Sequence, residues 1–456
     1  MKKGLIQKSL VCLLTFVLMI GIIQKPAVAA EPIEINANAV ILVDAETGKI
    51  LYEKNSETVL GIASMTKMMT EYLLLEAVKE GKVKWDQEFT ISPELSKMSH
   101  DKSLSNVFLR VGASYKVEDL YAAMAIESAN AATIAIAEVV AGTEANFVKM
   151  MNDKAQELGL GDFKFVNSSG LNNRDLAKHF PDVVGGAEEE NVMSARAVAK
   201  LAYNILKDFP EVLNTSSIPE KVFAEGTEDR QVMKNWNWML EGYRTMANRY
   251  PNFQQYTYEG LDGLKTGSTN FAGFCFTGTA SKDGQRFITV VMGTKSQTER
   301  FVETKKLLDF AFNSFENKEI IPKNYQVKGT KTLPVSKGKE DQVKIYTKDA
   351  IHSVVSGDEK DKYEAVLEID KGKLNKDGAL TAPIKKGDKV GTLTIKPKEG
   401  EEANYVSEDG QKSTTVDVIA AEDVEKANWF VLMMRGIGGF FGDIWGSVSS
   451  AVKGWF

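Results

Sequence analysis

Residues 61–78, GIASMTKMMTEYLLLEAV, place a serine and a lysine three positions apart in an almost continuously apolar stretch. Positions i and i+3 share one face of a helix, so the side chains of Ser64 and Lys67 can meet. A helix that is apolar nearly all round is usually buried inside a domain, and a buried ammonium group is costly. The stretch therefore predicts a buried helix whose surroundings favour a neutral lysine.

Strand patterns lie on both sides of a helix-rich region. Residues 39–55 predict two strands around a Thr-Gly turn. Strands return at 261–293, where Asp283-Gly284 is a strong hairpin signal. Since the strands come from both ends of the first 315 residues, we expect an α+β domain in which one antiparallel sheet carries helices on its faces.

The pattern changes near residue 318, where short apolar segments alternate with turns rich in Lys, Gly and Asp. This alternation predicts a small β-domain without helices. Beyond it, apolar residues recur every three or four positions up to Phe456, with Arg435 and Asp443 on the opposite face. A spanning helix would bury those charges, so we expect a helix lying in the membrane interface. The alternative is that this apolar stripe packs on the protein itself.

The N-terminus has the pattern of a secretory signal peptide. Lysines precede an apolar run at 10–23, and the small residues at 26–30 suit cleavage near Ala30. An uncleaved membrane anchor would need a longer apolar run. Because Cys12 lies in this segment, the mature chain would hold Cys275 alone and no internal disulfide. Cys275 lies in an apolar run and is interpreted as a small buried hydrophobe rather than a nucleophile.

Several classes of function have no support in the sequence. The net charge is −6, whereas proteins that bind nucleic acid usually carry basic patches. The chain has three histidines and no HExxH, CxxC or P-loop motif, so neither a metal nor another cofactor is expected. It also has no GxSxG elbow.

Three short motifs carry the chemistry: SMTK with Ser64 and Lys67, SAN with Ser128 and Asn130, and KTG at 265–267. Each motif alone is weak. The order of the three is specific, as is their setting: the first opens a buried helix, the second breaks the helical pattern at 117–142, and the third ends a strand.

This set resembles the signature of serine penicillin-recognising enzymes, which include penicillin-binding proteins and β-lactamases. The trailing β-domain and terminal helix make the chain most similar to the D-alanyl-D-alanine carboxypeptidases among low-molecular-mass penicillin-binding proteins. The resemblance implies a penicillin-binding/β-lactamase-like transpeptidase domain, followed by a small all-β domain and a C-terminal amphipathic helix. The corresponding boundaries are a signal peptide at 1–30, a catalytic domain at 31–316, a β-rich domain at 317–422 and a membrane-anchoring helix at 423–456.

The catalytic roles follow from the resemblance together with the chemistry of the residues. Ser64 is the expected nucleophile, at a helix N-terminus with free backbone N–H groups. Lys67 is the expected base, kept neutral by burial and by the charge of Lys265. Ser128, linked to Lys265, is expected to relay a proton to the leaving group. The remaining expected substrate-binding residues are Asn130, Lys265, Thr266, Gly267, Ser268 and Arg300.

For four residues the expected contact with the substrate can be stated individually. The resemblance implies an oxyanion hole formed by the backbone N–H groups of Ser64 and Ser268. Thr266 is expected to bind the terminal carboxylate of the substrate. Arg300 is a hypothetical second ligand for that carboxylate, and its alternative is a solvated charge at a helix start.

The expected reaction is attack of Ser64 on the bond between two terminal D-alanines of a peptidoglycan stem peptide, followed by hydrolysis of the acyl-enzyme. The resemblance implies that β-lactams acylate the same serine. The expected location is the outer face of the cytoplasmic membrane. One alternative is a class A β-lactamase, but the motif EVLN at 211–214 is one residue short of ExxLN, which leaves Glu211 as an ordinary helix residue. Another alternative is a membrane-tethered, non-catalytic module that binds peptidoglycan.

Overall fold

The computed structural model describes residues 33–357, 362–398, 403–429 and 432–433. The predicted signal peptide and most of the predicted C-terminal helix lie outside the described residues. The α-helices are α1 (Lys67–Lys79), α2 (Pro93–Ser99), α3 (Val117–Ala122), α4 (Asn130–Ala141), α5 (Glu144–Glu157), α6 (Asn173–Leu176), α7 (Ala195–Asp208), α8 (Leu213–Ser216), α9 (Glu299–Ser314) and α10 (Glu408–Lys412).

The strands of the first part of the chain are β1 (Ala39–Asp44), β2 (Ile50–Lys54), β3 (Val59–Gly61), β4 (Glu88–Thr90), β5 (Ser114–Lys116), β6 (Phe163–Lys164), β7 (Val192–Ser194), β8 (Glu220–Phe223), β9 (Gln231–Lys234), β10 (Leu261–Thr269), β11 (Gly273–Lys282) and β12 (Gln285–Thr294). Those of the second part are β13 (Phe315–Ile321), β14 (Thr332–Ser336), β15 (Gln342–Thr347), β16 (Ile351–Ser356), β17 (Tyr363–Ile369), β18 (Leu380–Thr381), β19 (Lys389–Pro397) and β20 (Thr415–Ala420).

The central sheet has the order β10-β11-β12-β1-β2, and every neighbouring pair is antiparallel. It joins strands from both ends of the first 315 residues, which confirms the predicted antiparallel sheet. The hairpin between β11 and β12 turns at Asp283 and Gly284, whose φ angles are 53° and 80°. Two successive positive φ angles are typical of the type I′ turn that Asp-Gly favours.

Helices cover both faces of this sheet. Ile41 and Val43 of β1 belong to a core shared with α1 and α7, whereas Val40 and Leu42 belong to a second core shared with α9. This alternation follows from the two-residue period of a strand. In α1, the buried residues are Lys67, Met68, Met69, Thr70, Glu71, Tyr72, Leu73, Leu74, Leu75 and Ala77. The prediction of a buried helix is therefore confirmed.

The second part of the chain forms a six-stranded sheet of order β17-β19-β20-β15-β14-β18 and a two-stranded sheet of β13 and β16. The expectation that this part contains no helix was wrong, because α10 forms there. A helix of five residues is too short to display an apolar period. The segment before α10 extends the edge strand β2: Ile50 N donates to Asn404 O at 2.8 Å, and Val406 N donates to Gly48 O at 2.9 Å.

Within the described ranges, no individual helix has the length and apolar character needed to cross a membrane. The pair α4 and α5, which meet at an 80° bend, satisfies that criterion together by length and composition only.

Candidate active site

Ser64 lies in a short 3₁₀ turn, Ala63–Thr66, that runs directly into α1. Strand β10 passes very close to this turn. A Cβ atom on Gly267 would lie 2.7 Å from Ile62 O and 3.0 Å from Ser64 N. Glycine therefore allows the KTG strand to approach the backbone of the serine turn, where free N–H groups are available.

Lys67 occupies the first turn of α1 and is 1% exposed. Its Nζ lies 3.0 Å from Ser64 Oγ, 2.9 Å from Asn130 Oδ1 and 2.6 Å from Ser169 O. A neutral amine has two N–H groups and one lone pair. The two carbonyl oxygens accept the two N–H groups, which leaves the lone pair for the hydroxyl of Ser64.

The electrostatic surroundings favour this neutral form. Burial holds the pKa of Lys67 well below its ordinary value, and the positive charge of Lys265 lowers it further. Both causes match the expectation from the sequence.

Ser128 lies where the helical pattern at 117–142 breaks. A π-helical turn, Ala123–Glu127, ends at Ser128, whose φ is 61°, and α4 then begins at Asn130. The predicted break is therefore confirmed. This turn presents the hydroxyl of Ser128 to β10, where Lys265 Nζ donates to Ser128 Oγ at 2.9 Å.

Lys265 is also buried, with 7% of its surface exposed. Burial lowers its pKa to about 7, the charge of Arg300 lowers it as well, and the carboxylates of Glu71 and Glu127 oppose both effects. Two amines with lowered pKa values thus lie behind the two hydroxyl groups.

Asn130 connects the first two motifs. While its Oδ1 faces Lys67, its Nδ2 donates to Ser105 O at 3.0 Å. This second bond fixes which end of the amide faces the lysine. Asn130 therefore holds Lys67 in position for Ser64.

Arg300 is not a solvated charge at a helix start, because it is 3% exposed. Its Nη1 donates to Gly267 O at 3.2 Å and to Cys275 O at 3.4 Å. Its buried Nε has no hydrogen-bond partner among the described residues. Burial lowers the pKa of this guanidinium to about 10, which leaves it charged at neutral pH.

A cavity of about 210 Å³ brings most of these groups together. Its lining residues are Ser64, Ser103, Leu104, Ser105, Ser128, Asn130, Leu171, Trp236, Thr266, Gly267, Ser268, Gln297 and Arg300. Lys67 and Lys265 lie behind this lining, in contact with the hydroxyl groups of Ser64 and Ser128. Every residue expected from the sequence is thus at this cavity or directly behind it.

The sequence did not reveal the contribution of the loop at 167–171. Its backbone supplies the Ser169 carbonyl that Lys67 contacts. Gly170, at φ 80°, packs against the serine turn so closely that a Cβ atom would lie 1.9 Å from Ala63 O. The NSSGL pattern indicated a loop, but a backbone carbonyl has no sequence signature.

A buried carboxyl also lies near the lysines and was not expected. Tyr121 donates from its hydroxyl group to Glu71 Oε1 at 2.7 Å. Burial raises the pKa of Glu71 to about 7, while Tyr121 and Lys265 lower it. Glu71 lies one helical turn beyond Lys67, which is the only sequence signal that this carboxyl faces the site.

Two residues that could have indicated a different chemistry, Glu211 and Cys275, do not supply a side chain to the site. Glu211 is exposed in a 3₁₀ turn, Pro210–Val212, and is not part of the described cavity lining. Cys275 is fully buried, and burial raises the pKa of its thiol to about 11. Cys275 is therefore a buried hydrophobe, as expected, because a nucleophilic thiol needs a lowered pKa.

Two family profiles match the chain. The profile described as D-alanyl-D-alanine carboxypeptidase matches residues 25–296, and the C-terminal domain of penicillin-binding protein 5 matches residues 315–426. Together with the fold and the Ser-Lys site, these matches define a serine peptidase of the low-molecular-mass penicillin-binding class. The chain belongs to the D-alanyl-D-alanine carboxypeptidase family.

Individual proteins show the same relationship. The D-alanyl-D-alanine carboxypeptidase DacF of Bacillus subtilis is 32% identical over 402 residues, which cover 88% of this chain and 89% of the relative. A crystal structure of a peptidoglycan synthesis regulatory factor (PBP3) from Streptococcus pneumoniae is 32% identical, with a TM-score of 0.69, and the match covers 86% of this chain and all of that chain.

A third similar protein has a crystal structure with cefotaxime bound. Penicillin-binding protein D2 from Listeria monocytogenes, in its cefotaxime-bound form, is 31% identical, with a TM-score of 0.50. The match covers 62% of this chain and 99% of that chain. These comparisons confirm the family and the fold class that the three motifs predicted.

Proposed function

We propose that this protein is a serine-type D-alanyl-D-alanine carboxypeptidase that removes the terminal D-alanine from peptidoglycan stem peptides through an acyl-enzyme on Ser64. The observation that carries the proposal is the placement of Lys67. Its amine is buried, two carbonyl oxygens hold it, and it lies 3.0 Å from Ser64 Oγ. Such an amine is a general base beside a nucleophile.

In the acylation step, Lys67 takes the proton of Ser64 as Oγ attacks the carbonyl carbon of the penultimate D-alanine. The carbonyl oxygen becomes an oxyanion, and the backbone N–H groups of Ser64 and Ser268 stabilise it. Such donors typically supply about 3–4 kcal/mol of transition-state stabilisation. The close approach of β10 to the serine turn at Gly267 supports this assignment.

The leaving D-alanine needs a proton on its nitrogen and a partner for its carboxylate. Ser128 donates the proton and recovers one from Lys265, whose Nζ is 2.9 Å away. Thr266 and Arg300 bind the carboxylate, which the unpartnered Nε and the permanent charge of Arg300 support. D-Alanine leaves as the ester on Ser64 forms, and water then hydrolyses that ester to release the shortened stem peptide and free Ser64.

The test is release of D-alanine from an acyl-D-Ala-D-Ala peptide by the purified protein. Ser64→Ala is expected to lower kcat by more than about 10⁴-fold, as for other enzymes that lose their nucleophile. Ser105→Ala is the matched control, because Ser105 lines the same cavity but contacts Asn130 through its backbone carbonyl.

Mass spectrometry after incubation with penicillin gives an independent measurement. We expect one covalent adduct, located on Ser64 and absent from Ser64→Ala. Rapid turnover of penicillin would favour the β-lactamase alternative. A protein that forms no adduct and releases no D-alanine would favour the non-catalytic module.

We further infer that the chain is an exported cell-wall enzyme, which the family match supports. The apolar stripe beyond residue 429 is proposed to attach it to the outer face of the membrane. The full chain is expected to sediment with anionic lipid vesicles, and a chain ending at residue 429 is expected to remain in the supernatant. Equal sedimentation of the two chains would contradict this attachment.

A further inference from the structure

Trp236 lies on the wall of the catalytic cavity, and the proposed chemistry does not use its ring. Its Nε1 donates to Glu127 O at 3.1 Å, and the residue is 37% exposed. Glu127 directly precedes Ser128. The hydrogen bond therefore fixes the indole ring beside the group that protonates the leaving nitrogen.

The neighbouring Trp238, in contrast, packs against other aromatic rings. Its ring stacks on Phe253, with centroids 4.5 Å apart and planes 14° apart, and it also contacts the rings of Tyr256 and Phe301. In the described ranges, no ring–ring contact involves Trp236. The indole ring of Trp236 is therefore held by its hydrogen bond, but its face does not pack against other rings of the protein core. Such a face suits an apolar group of a ligand.

The cavity has two further apolar walls, Leu104 and Leu171. Leu104 is adjacent to Ser105, whose carbonyl holds Asn130, and Leu171 ends the loop whose Ser169 carbonyl contacts Lys67. Trp236 lines the same cavity and is hydrogen-bonded to Glu127, the residue before Ser128.

The leaving residue of the substrate must lie between two fixed points. Its nitrogen receives a proton from Ser128, and its carboxylate binds at Thr266 and Arg300. Its side chain projects from the carbon atom between these two groups, into a cavity of about 210 Å³. The ring of Trp236 lines this cavity and is hydrogen-bonded to the residue that directly precedes Ser128.

We propose that the indole face of Trp236 packs on the side chain of the leaving residue and selects a small aliphatic group, such as the methyl group of D-alanine. This specificity role rests on the proposed carboxypeptidase function.

The experiment measures kcat/KM for three peptides that differ in the last residue: acyl-D-Ala-D-Ala, acyl-D-Ala-Gly and acyl-D-Ala-D-Leu. Trp236→Ala is expected to reduce the preference for D-Ala over Gly by roughly fourfold, the value of one buried methyl contact. It is also expected to improve the relative use of D-Leu by roughly tenfold, since the wall that limits size is removed. Trp236→Phe retains an aromatic face and is expected to restore most of the D-Ala preference.

Phe108→Ala is the matched control, because Phe108 is an aromatic residue that is 49% exposed and lines a different cavity. It is expected to leave all three ratios unchanged. Thermal unfolding of each variant separates a loss of fold from a change of specificity, because a folding defect lowers the unfolding temperature as well as all three kcat/KM values.

Three results would overturn the proposal. The ratios for Trp236→Ala could stay those of the native protein, all three kcat/KM values could fall equally in a variant that unfolds at the native temperature, or selectivity could change at the residue before the two D-alanines instead. The proposed function itself is checked separately by the penicillin adduct on Ser64, which does not depend on the last residue of a peptide.

Discussion

At the residue scale, the site consists of two hydroxyl–amine pairs, Ser64 with Lys67 and Ser128 with Lys265, at 3.0 Å and 2.9 Å. Both lysines are buried, and the positive charge of Lys265 further lowers the pKa of Lys67. One amine can therefore be neutral and act as the base, while the other retains its proton for the leaving group.

The first prediction concerns the pH dependence of acylation. The rate should rise with pH as Lys67 loses its proton, and it should fall as Lys265, with a pKa of about 7, loses its own. In Lys265→Arg, the permanent guanidinium charge should move the alkaline limb to higher pH and leave the acid limb in place.

The groups that face Lys265 and remain in this variant are Lys67, Arg300, Glu71 and Glu127. Stopped-flow acylation by a chromogenic cephalosporin between pH 5 and pH 10 would measure both limbs. An unchanged alkaline limb would show that Lys265 is not the group that must hold a proton.

At the element scale, the site depends on where three elements meet: the serine turn before α1, the turn before α4, and strand β10. The KTG strand lies at one edge of the central sheet and is paired with β11 along its length. Pairing with β11 holds β10 against the serine turn, which would keep the proposed oxyanion donors in place without movement during the reaction.

The second prediction tests that close approach with Gly267→Ala. The new Cβ atom would lie 2.7 Å from Ile62 O and 3.0 Å from the backbone nitrogen atoms of Ser64 and Met65, so the strand must move away. Acylation by penicillin is expected to slow by about 100-fold, the typical cost of one displaced oxyanion donor.

Gly186→Ala is the control for the glycine substitution, since its Cβ atom would be 3.5 Å from the nearest atom, in ordinary contact. It should acylate at the native rate. If Gly267→Ala also acylates at the native rate, the backbone of β10 is not part of the oxyanion hole.

At the scale of the whole molecule, the β-rich part joins the first part at the edge of the sheet opposite to the KTG strand. Strand β2 forms that edge, and Lys49 just before it donates from Nζ to Val354 O at 2.7 Å and to Tyr363 Oη at 3.1 Å. The junction is therefore separated from Ser64 by the width of the sheet.

The third prediction is that Lys49→Met weakens the junction and spares catalysis. Methionine keeps most of the side-chain volume but removes the donors, at an expected cost of about 1–2 kcal/mol in the free energy of unfolding. Urea unfolding would measure that cost, and kcat/KM on a soluble peptide should stay native. The exposed Lys102→Met is the control, and a large loss of activity in Lys49→Met alone would contradict the separation of junction and site.

The sequence was sufficient for much of this description because its strongest signals are local. A buried apolar helix with Ser64 and Lys67 on one face, the Asp283-Gly284 hairpin and the break at Ser128 each depend on short-range chemistry. The order of the three motifs indicated the family, and the alternation beyond residue 318 indicated a separate β-rich part. The five-residue α10 was missed because a period cannot develop over so few residues.

The sequence by itself indicated which side chains are candidates for the chemistry: two serines, two lysines and an asparagine, in three motifs that are specific only in their order and setting. The tertiary structure alone decided what surrounds them. The Ser169 carbonyl on Lys67, the burial of Arg300 and the position of Trp236 beside Ser128 all join segments that are distant in the chain. Proton affinity depends on burial and on neighbouring charge, and both are properties of the folded chain rather than of any local pattern.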